Sequence, residues 1–269
     1  MNHAMTVRNR RAISRFRTET QHPTIVRMLQ VAHCALISHR LVRLVLAGPQ
    51  LGAFADAEDR HPAVTSTGFD DVVILFFPQP GSERITVPKT SGDGGFARPL
   101  DPNVIFREYT VRHLDEAGLV VDVVLHDSGI ASDWARQAES GMSIGVVGPR
   151  VSRALPRLPK ILAIGDATAL PSLSRLSESL GDDVEGDVII VDGGPDLEMP
   201  LSAPTRLNIV RARNAAAAHS LLAGMDLDPD RTYAWLAGES GLVTSLRSHL
   251  LSARDFAKDH VQCTGYWRI

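Results

Sequence analysis

The run Arg107-Glu108-Tyr109-Thr110-Val111-Arg112 brings three kinds of ligand-competent side chain into six residues. Its residues are strand-formers, so Arg107, Tyr109 and Val111 share one face and Thr110 and Arg112 the other. An arginine fork suits a pyrophosphate, because it donates two parallel charge-assisted hydrogen bonds. The adjacent tyrosine offers an aromatic face, and the threonine hydroxyl can donate to or accept from a ring nitrogen. An ordinary surface strand with two exposed arginines is the simpler account of the same residue types.

A second candidate runs from His126 through Gly129 and Ala131 to Ser132, Asp133 and Trp134. It reads as a strand end, a small-residue turn and a helix start. Backbone N–H groups there would meet an anion, with Gly129 allowing close approach; capping by Ser132 or Asp133 explains the turn equally well. Gly165-Asp166-Ala167-Thr168-Ala169-Leu170-Pro171 joins a buried-type strand to a helix, at the strand end where open α/β sheets bind ligands. It is not the GxGxxG dinucleotide fingerprint, and Pro171 fits a helix first turn. Ala237-Gly238-Glu239 makes a similar turn, where Glu239 would orient a ligand or simply favour the helix N-terminus. Arg211 and Arg213 follow a further strand and are placed to meet a nucleotide phosphate, or to be solvated surface.

Other chemistries lack their residues. No HExxH or GxxxxGK(S/T) run occurs, and the histidines show no metal-ligand spacing. The two cysteines, Cys34 and Cys263, lie at opposite ends and form no CxxC pair. With 28 Lys+Arg against 31 Asp+Glu the net charge is −3, which gives no global attraction for nucleic acid or an anionic membrane. No apolar run approaches the length of a membrane span, and none follows the basic N-terminus as a secretory signal would. The chain is therefore expected to be cytoplasmic, and 269 residues suffice for two ordinary domains.

The elements that must position these residues fall into two patterns. Residues 1–20, with Arg8, Arg10, Arg11, Arg15 and Arg17, read as a basic and frayed start, order being expected from Thr24. Residues 21–155 are β-rich, with short strands over 28–37, 41–46, 72–77, 105–114, 119–126 and 143–147. Gly and Pro clusters such as Gly92-Asp93-Gly94-Gly95 separate them, and one short helix is expected over 134–139. This pattern predicts an antiparallel barrel. Residues 156–269 alternate strands over 160–165, 188–191, 207–210 and 233–237 with helices over 170–180, 214–222 and 242–256. That predicts an α/β domain with a mainly parallel sheet.

Taken in order, these segments resemble one family. Arg107-Glu108-Tyr109-Thr110-Val111-Arg112, Val121-Asp122-Val123-Val124-Leu125-His126 and Ala131-Ser132-Asp133-Trp134-Ala135 resemble the flavin-binding half of siderophore-interacting proteins. Gly148-Pro149, Gly165 to Pro171, Ala237-Gly238-Glu239 and Gly265-Tyr266-Trp267-Arg268 continue it to the C-terminus. The resemblance implies a ferredoxin reductase-like protein: an FAD-binding barrel, then a pyridine-nucleotide domain. It implies that Arg107 contacts the FAD pyrophosphate, that Tyr109 and Thr110 lie along the flavin with Val111 and Arg112 beside them, and that His126, Gly129, Ala131, Ser132 and Trp134 complete the site. Asp166, Thr168, Ala169 and Glu239 would face the junction between flavin and nicotinamide, with Tyr266 and Trp267 over the ring. Two positions depart from the family pattern: Ile130 replaces a proline and Ala167 a glutamate.

The implied activity is reduction of iron(III) in a ferric siderophore, with electrons from NADPH or NADH through FAD, and with a ferredoxin as another possible donor. Arg211 and Arg213 favour NADPH, since they can pair with a 2′-phosphate, whereas Asp192 would oppose one. Arg247 and Arg268 are candidates to attract an anionic ferric siderophore. No protein ligand to iron is needed, because iron(II) is held less firmly by the hard oxygen ligands typical of siderophores. The chain is expected to act as a monomer. Two alternatives stand beside this reading: a general NAD(P)H:flavin or ferredoxin-type reductase, and a siderophore-binding protein without redox function.

Overall fold

The structure is a computed structural model that describes residues 17–57, 59–88, 101, 103–127, 129–181, 183–191 and 206–268. The arginines of the basic start up to Arg15, the Gly92-Asp93-Gly94-Gly95 loop and Asp192 lie outside the described residues. The first half contains β1 (Glu19–Gln21), β2 (Val26–Ser38), β3 (Leu41–Ala47), β4 (Phe54–Ala55), β5 (Arg60–His61), β6 (Val72–Phe77), β7 (Ile105–Asp115), β8 (Gly118–Val124), α1 (Ile130–Arg136), β9 (Ser143–Val147) and β10 (Val151–Arg153). Then come β11 (Lys160–Asp166), α2 (Leu170–Ser179), β12 (Glu185–Val191), β13 (Leu207–Ala212), α3 (Ala215–Gly224), β14 (Thr232–Glu239), α4 (Ser240–Ala253) and β15 (Val261–Trp267).

Six antiparallel strands close into a barrel in the order β2-β3-β8-β7-β6-β9. Closure pairs both edges of every strand, which removes the exposed edge an open sheet would carry. The two-residue period sends Val121 and Val123 of β8 into the barrel core with Leu44, Val73, Leu75 and Val146. The intervening Asp122 and Val124 point outward, yet both are buried. The second half of the chain covers that outer face.

That second half is a five-stranded sheet in the order β13-β12-β11-β14-β15, with every pairing parallel. Alternate residues of β11 serve opposite cores: Ile161 and Ala163 on one side, Leu162 and Ile164 on the other. A sheet buried on both faces needs such an unbroken apolar run. Strand order reverses between β11 and β14, so their carboxyl ends flank a topological switch point, where open α/β sheets bind ligands. Leu41, Phe69 and Val124 of the first half share one apolar cluster with Ile161, Leu173 and Trp235 of the second. Full burial of each such aliphatic or phenyl side chain contributes roughly 1.5–3 kcal/mol, so the halves share a substantial core.

Four expectations are corrected. Order begins well before Thr24: β1 pairs antiparallel with β10, and Arg17 is buried, because tertiary contacts hold a segment with no apolar pattern of its own. The barrel helix spans 130–136 rather than 134–139, since Gly129, with φ of 135°, stands at its N-cap. Ser132 and Asp133 do not cap it: the Ser132 hydroxyl accepts from the His126 N–H at 3.0 Å, and Asp133 pairs with Arg136 at 2.9 Å. Finally, β15 was not expected, because Gln262, Thr264 and Gly265 break its apolar alternation; pairing with β14 makes it a strand.

Candidate functional site

At the switch point, between barrel and sheet, lies a cleft of about 370 Å³. Arg107, Tyr109 and Thr110 of β7, Asp122 and Val124 of β8, and His126, Gly129, Ile130, Ala131 and Ser132 of the turn into α1 form its barrel wall. Thr168 and Pro171 after β11, with Thr264, Tyr266 and Trp267 of β15, form the opposite wall. The strand-to-helix turns singled out in the sequence thus face one another across a single space.

Each lining residue is held by its element. Arg107 is exposed at the rim, where its Nη1 donates to the Phe106 carbonyl at 2.7 Å. The Tyr109 ring packs edge-on against Phe77 with 6.4 Å between centroids. Burial pushes its phenol up to about 12, the Arg107 charge pulling the other way, so it stays a neutral donor. Thr110 Oγ1 lies 2.9 Å from Ser172 Oγ, which lies 3.1 Å from the Tyr266 hydroxyl. This chain of hydroxyls links barrel, α2 and β15 along the cleft floor. Asp122 accepts from Arg43 Nε and Nη2 at 2.7 and 2.8 Å, and this hydrogen bonding holds the arginine above its ordinary value.

Asp166 organises the sheet wall. Its Oδ1 accepts from the Thr168 N–H at 2.8 Å and the Thr168 hydroxyl at 2.5 Å; its Oδ2 accepts from the Glu239 N–H at 2.7 Å and Trp267 Nε1 at 2.8 Å. A register shift between Gly238 and Glu239 pairs Glu239 with Trp267 and leaves Tyr266 as the extra residue of a bulge. Strict alternation would turn one of two successive side chains away; the bulge lets both Tyr266 and Trp267 reach the cleft.

Several expected residues play other parts. The Val111 and Trp134 side chains belong to the barrel core, and Ala169 to the core beneath the sheet, so none of the three lines the cleft. Arg112 turns away to α2, where Nη1 and Nη2 donate to both oxygens of Glu178 at 2.9 and 2.6 Å. Asp166 and Glu239 stand behind the wall: the Glu239 carboxylate caps α4 by accepting from the Leu242 N–H at 2.8 Å. Arg211, on the edge strand β13, and Arg213, just after it, are exposed at the far edge of the sheet, and Arg247 and Arg268 are outside the cleft lining. Ile130 packs on the barrel core as well as lining the cleft, and Ala167 packs on the core beneath the sheet.

Ser172, Asp122 and Thr264 gave no signal in the sequence, since a lone serine, aspartate or threonine acquires meaning only from its neighbours in space. The run Gly141-Met142-Ser143-Ile144-Gly145 has GxSxG spacing, yet Ser143 opens barrel strand β9 rather than a strand-to-helix elbow, so this exposed serine lacks the setting of a nucleophile elbow. Among the described residues no group of three His, Cys, Asp or Glu side chains could hold a metal ion.

The cleft fits FAD. At Gly129 nothing lies within 4 Å of where a Cβ would stand, which leaves room for backbone to approach a phosphate beside the exposed Arg107. Tyr109 offers a ring, and Thr110 and Tyr109 hydroxyls that can meet ring heteroatoms.

Comparison with known proteins agrees with this geometry. The siderophore-interacting FAD-binding domain matches residues 30–153, and the siderophore-interacting protein family matches residues 158–269. An NADPH-dependent ferric-chelate reductase of Escherichia coli is 32% identical over 250 residues, covering 90% of this chain and 92% of that protein. A ferric vibriobactin reductase of Vibrio cholerae is 27% identical, covering 90% of this chain and 89% of its own. The crystal structure of a siderophore utilization protein from T. fusca superposes with a TM-score of 0.81 at 28% identity, covering 94% of this chain and 96% of that one. With both halves matched, and in the order in which barrel and sheet follow one another, this chain belongs to the siderophore-interacting protein family.

Proposed function

We propose that this protein is an FAD-dependent reductase that takes electrons from NADPH and reduces the iron(III) of a ferric siderophore, so that iron(II) is released. The observation that carries the reading is the single cleft in which Arg107, Tyr109 and Thr110 of the barrel face Thr168, Tyr266 and Trp267 of the sheet. FAD supplies the conversion of a two-electron hydride from the nicotinamide into one-electron steps that reach iron. The family and the ferric reductases named among its relatives support that cofactor and that substrate class.

The residues have distinct parts in this reading. Arg107 grips the pyrophosphate as a planar donor fork, and Gly129 admits the phosphate close to the backbone. Tyr109 would stack along the ring, and Thr110, steadied by Ser172, would present its hydroxyl to a ring edge. Trp267, tethered by Asp166, would shield the bound ring from water. Arg211 and Arg213 pair with the 2′-phosphate that distinguishes NADPH from NADH. Iron(III) arrives as substrate, already wrapped by its chelator, and needs no ligand from this chain. The reading places a monomer in the cytoplasm; among the described residues no helix is long and apolar enough to cross a membrane.

An anaerobic visible spectrum of the purified protein tests the reading. Flavin bands that bleach with NADPH and return on adding a ferric siderophore are the expected result. Bands that ignore NADPH but bleach with dithionite and recover with the chelate would replace the donor by another, such as a ferredoxin. Absence of flavin bands even after adding FAD would overturn the reading in favour of a binding protein.

A further inference from the structure

Arg17 lies ahead of β1 and before the first residue of the matched FAD-binding domain, in a segment whose composition reads as solvated arm. It is instead 3% exposed. Its Nη2 lies 3.1 Å from Asp70 Oδ1 and its Nη1 3.3 Å from Oδ2, with the two side chains 1% and 5% exposed. Asp70 belongs to the barrel half, two residues before β6. The sheet supplies the other partners of the same carboxylate: Trp235 Nε1 of β14 donates to Oδ2 at 3.3 Å, and Gln262 Nε2 of β15 at 2.7 Å. Arg17 Nη1 also donates to the Tyr233 hydroxyl at 3.0 Å and to Gln262 Oε1, and its guanidinium lies over the Phe69 ring at 5.5 Å. The strap itself is fastened by Arg17 Nε to the Ala154 carbonyl at 2.9 Å, Nη2 to the Arg153 carbonyl at 3.2 Å, and the pairing of β1 with β10.

We propose that Arg17 and Asp70 form an interdomain latch that fixes the angle between barrel and parallel sheet, making Arg17 a positioning residue for electron delivery across the cleft. The proposal rests on the reductase reading for its kinetic consequence. The apolar cluster shared by Phe69, Leu41, Val124 and Trp235 holds the halves together but is non-directional. A buried charge pair contributes little net stability over apolar packing, and what it adds is one permitted geometry for its hydrogen bonds. That geometry is passed to both walls. Gln262 lies on the same strand as Tyr266 and Trp267, and among the described residues that strand pairs with β14 alone. On the barrel side the Asp71 carbonyl, next in the chain to Asp70, accepts from the Val111 N–H at 2.8 Å, one residue from Thr110. A tilt at the latch therefore moves Thr110 and Trp267 relative to each other.

The test compares full-length, FAD-loaded wild type with Arg17→Gln and Asp70→Asn by amide hydrogen exchange and by rapid mixing. The latch predicts faster exchange confined to residues 66–70, 154–159 and β15, with β3 and β8 unchanged and FAD still bound. It also predicts bleaching by NADPH slowed about 10- to 100-fold, the scale of a misplacement near 1 Å, with bleaching by dithionite unaffected. Exchange and NADPH bleaching indistinguishable from wild type would overturn it. So would exchange rising evenly through the barrel strands with loss of FAD, which is the signature of a plain folding role. Should Arg17→Gln not fold, Arg17→Lys keeps the charge without the planar fork, and the latch predicts an intermediate local effect; wild-type behaviour there would overturn it. A wild type that NADPH does not bleach removes NADPH as the donor, and the exchange pattern then still decides the latch.

Discussion

Trp267 Nε1 donates to Asp166 Oδ2 over 2.8 Å, and through that bond the last strand of the sheet is tied to the end of the first. The same oxygen takes the Glu239 N–H at 2.7 Å, so one buried carboxylate gathers the carboxyl ends of β11, β14 and β15. Gly238 makes this possible: with φ of 139°, it has no Cβ, which would otherwise stand 2.5 Å from Asp166 Oδ2. The half-exposed indole is thereby held at the mouth of the cleft, 6.2 Å from His126 by ring centroids. The switch point of the sheet thus becomes one wall of a binding site.

Replacing Trp267 with alanine removes that wall while leaving Asp166 three donors. FAD should remain bound, and the fluorescence of the bound flavin should rise severalfold as the quenching indole is lost. Unchanged fluorescence would show that the indole does not lie over the ring.

Arg107→Ala and Arg112→Ala should behave differently although both arginines belong to one strand. Loss of a charge-assisted fork on a pyrophosphate costs about 1.5–3 kcal/mol, so Arg107→Ala should weaken FAD binding roughly 10- to 100-fold in a fluorescence titration. Arg112 is committed to Glu178, itself well exposed, and such a pair is worth about 0–1 kcal/mol. Arg112→Ala should leave FAD affinity unchanged, and an equal loss in both variants would refute the assignment.

Arg211 and Arg213 are tested by their joint replacement with alanine. The Michaelis constant for NADPH should rise about tenfold, corresponding to ~1.4 kcal/mol, while that for NADH stays put. An equal effect on both nucleotides would remove the 2′-phosphate role.

Tyr266 predicts an alkaline transition. Burial raises its phenol to about 12, opposed by hydrogen bonding from Ser172 and assisted by the charge of Asp70. A group whose folded value lies above its unfolded one contributes stability fully below the unfolded value, near 10, and loses it as pH rises towards 12. Thermal melts should therefore fall steeply between about pH 10 and 12, and Tyr266→Phe should make that fall shallower. Tyr109, raised to about 12 by its own burial, and Tyr233, raised likewise, should share the remaining slope.

The sequence by itself determined the two architectures and which turns carry ligand-competent residues. Period-two runs such as Val121-Asp122-Val123 fix a strand and its faces, and the unbroken run after Lys160 fixes a strand buried on both sides, because these patterns reflect local geometry. Arg107, Tyr109, Thr110, Gly129 and Thr168 were legible for the same reason: each stands at a strand or turn position that its neighbours define. What only the tertiary structure decided are relations between residues far apart in the chain. Arg112 was diverted to Glu178, 66 positions away, and Val111 and Trp134 were absorbed into the barrel core. Ser172 joined Thr110 and Tyr266 in a hydroxyl chain, and Arg17, outwardly one more arginine of a basic arm, found Asp70 and Gln262 inside the protein. A charged side chain carries no periodic trace of its burial, because the partner that makes burial tolerable is chosen by the fold and not by its neighbours in sequence.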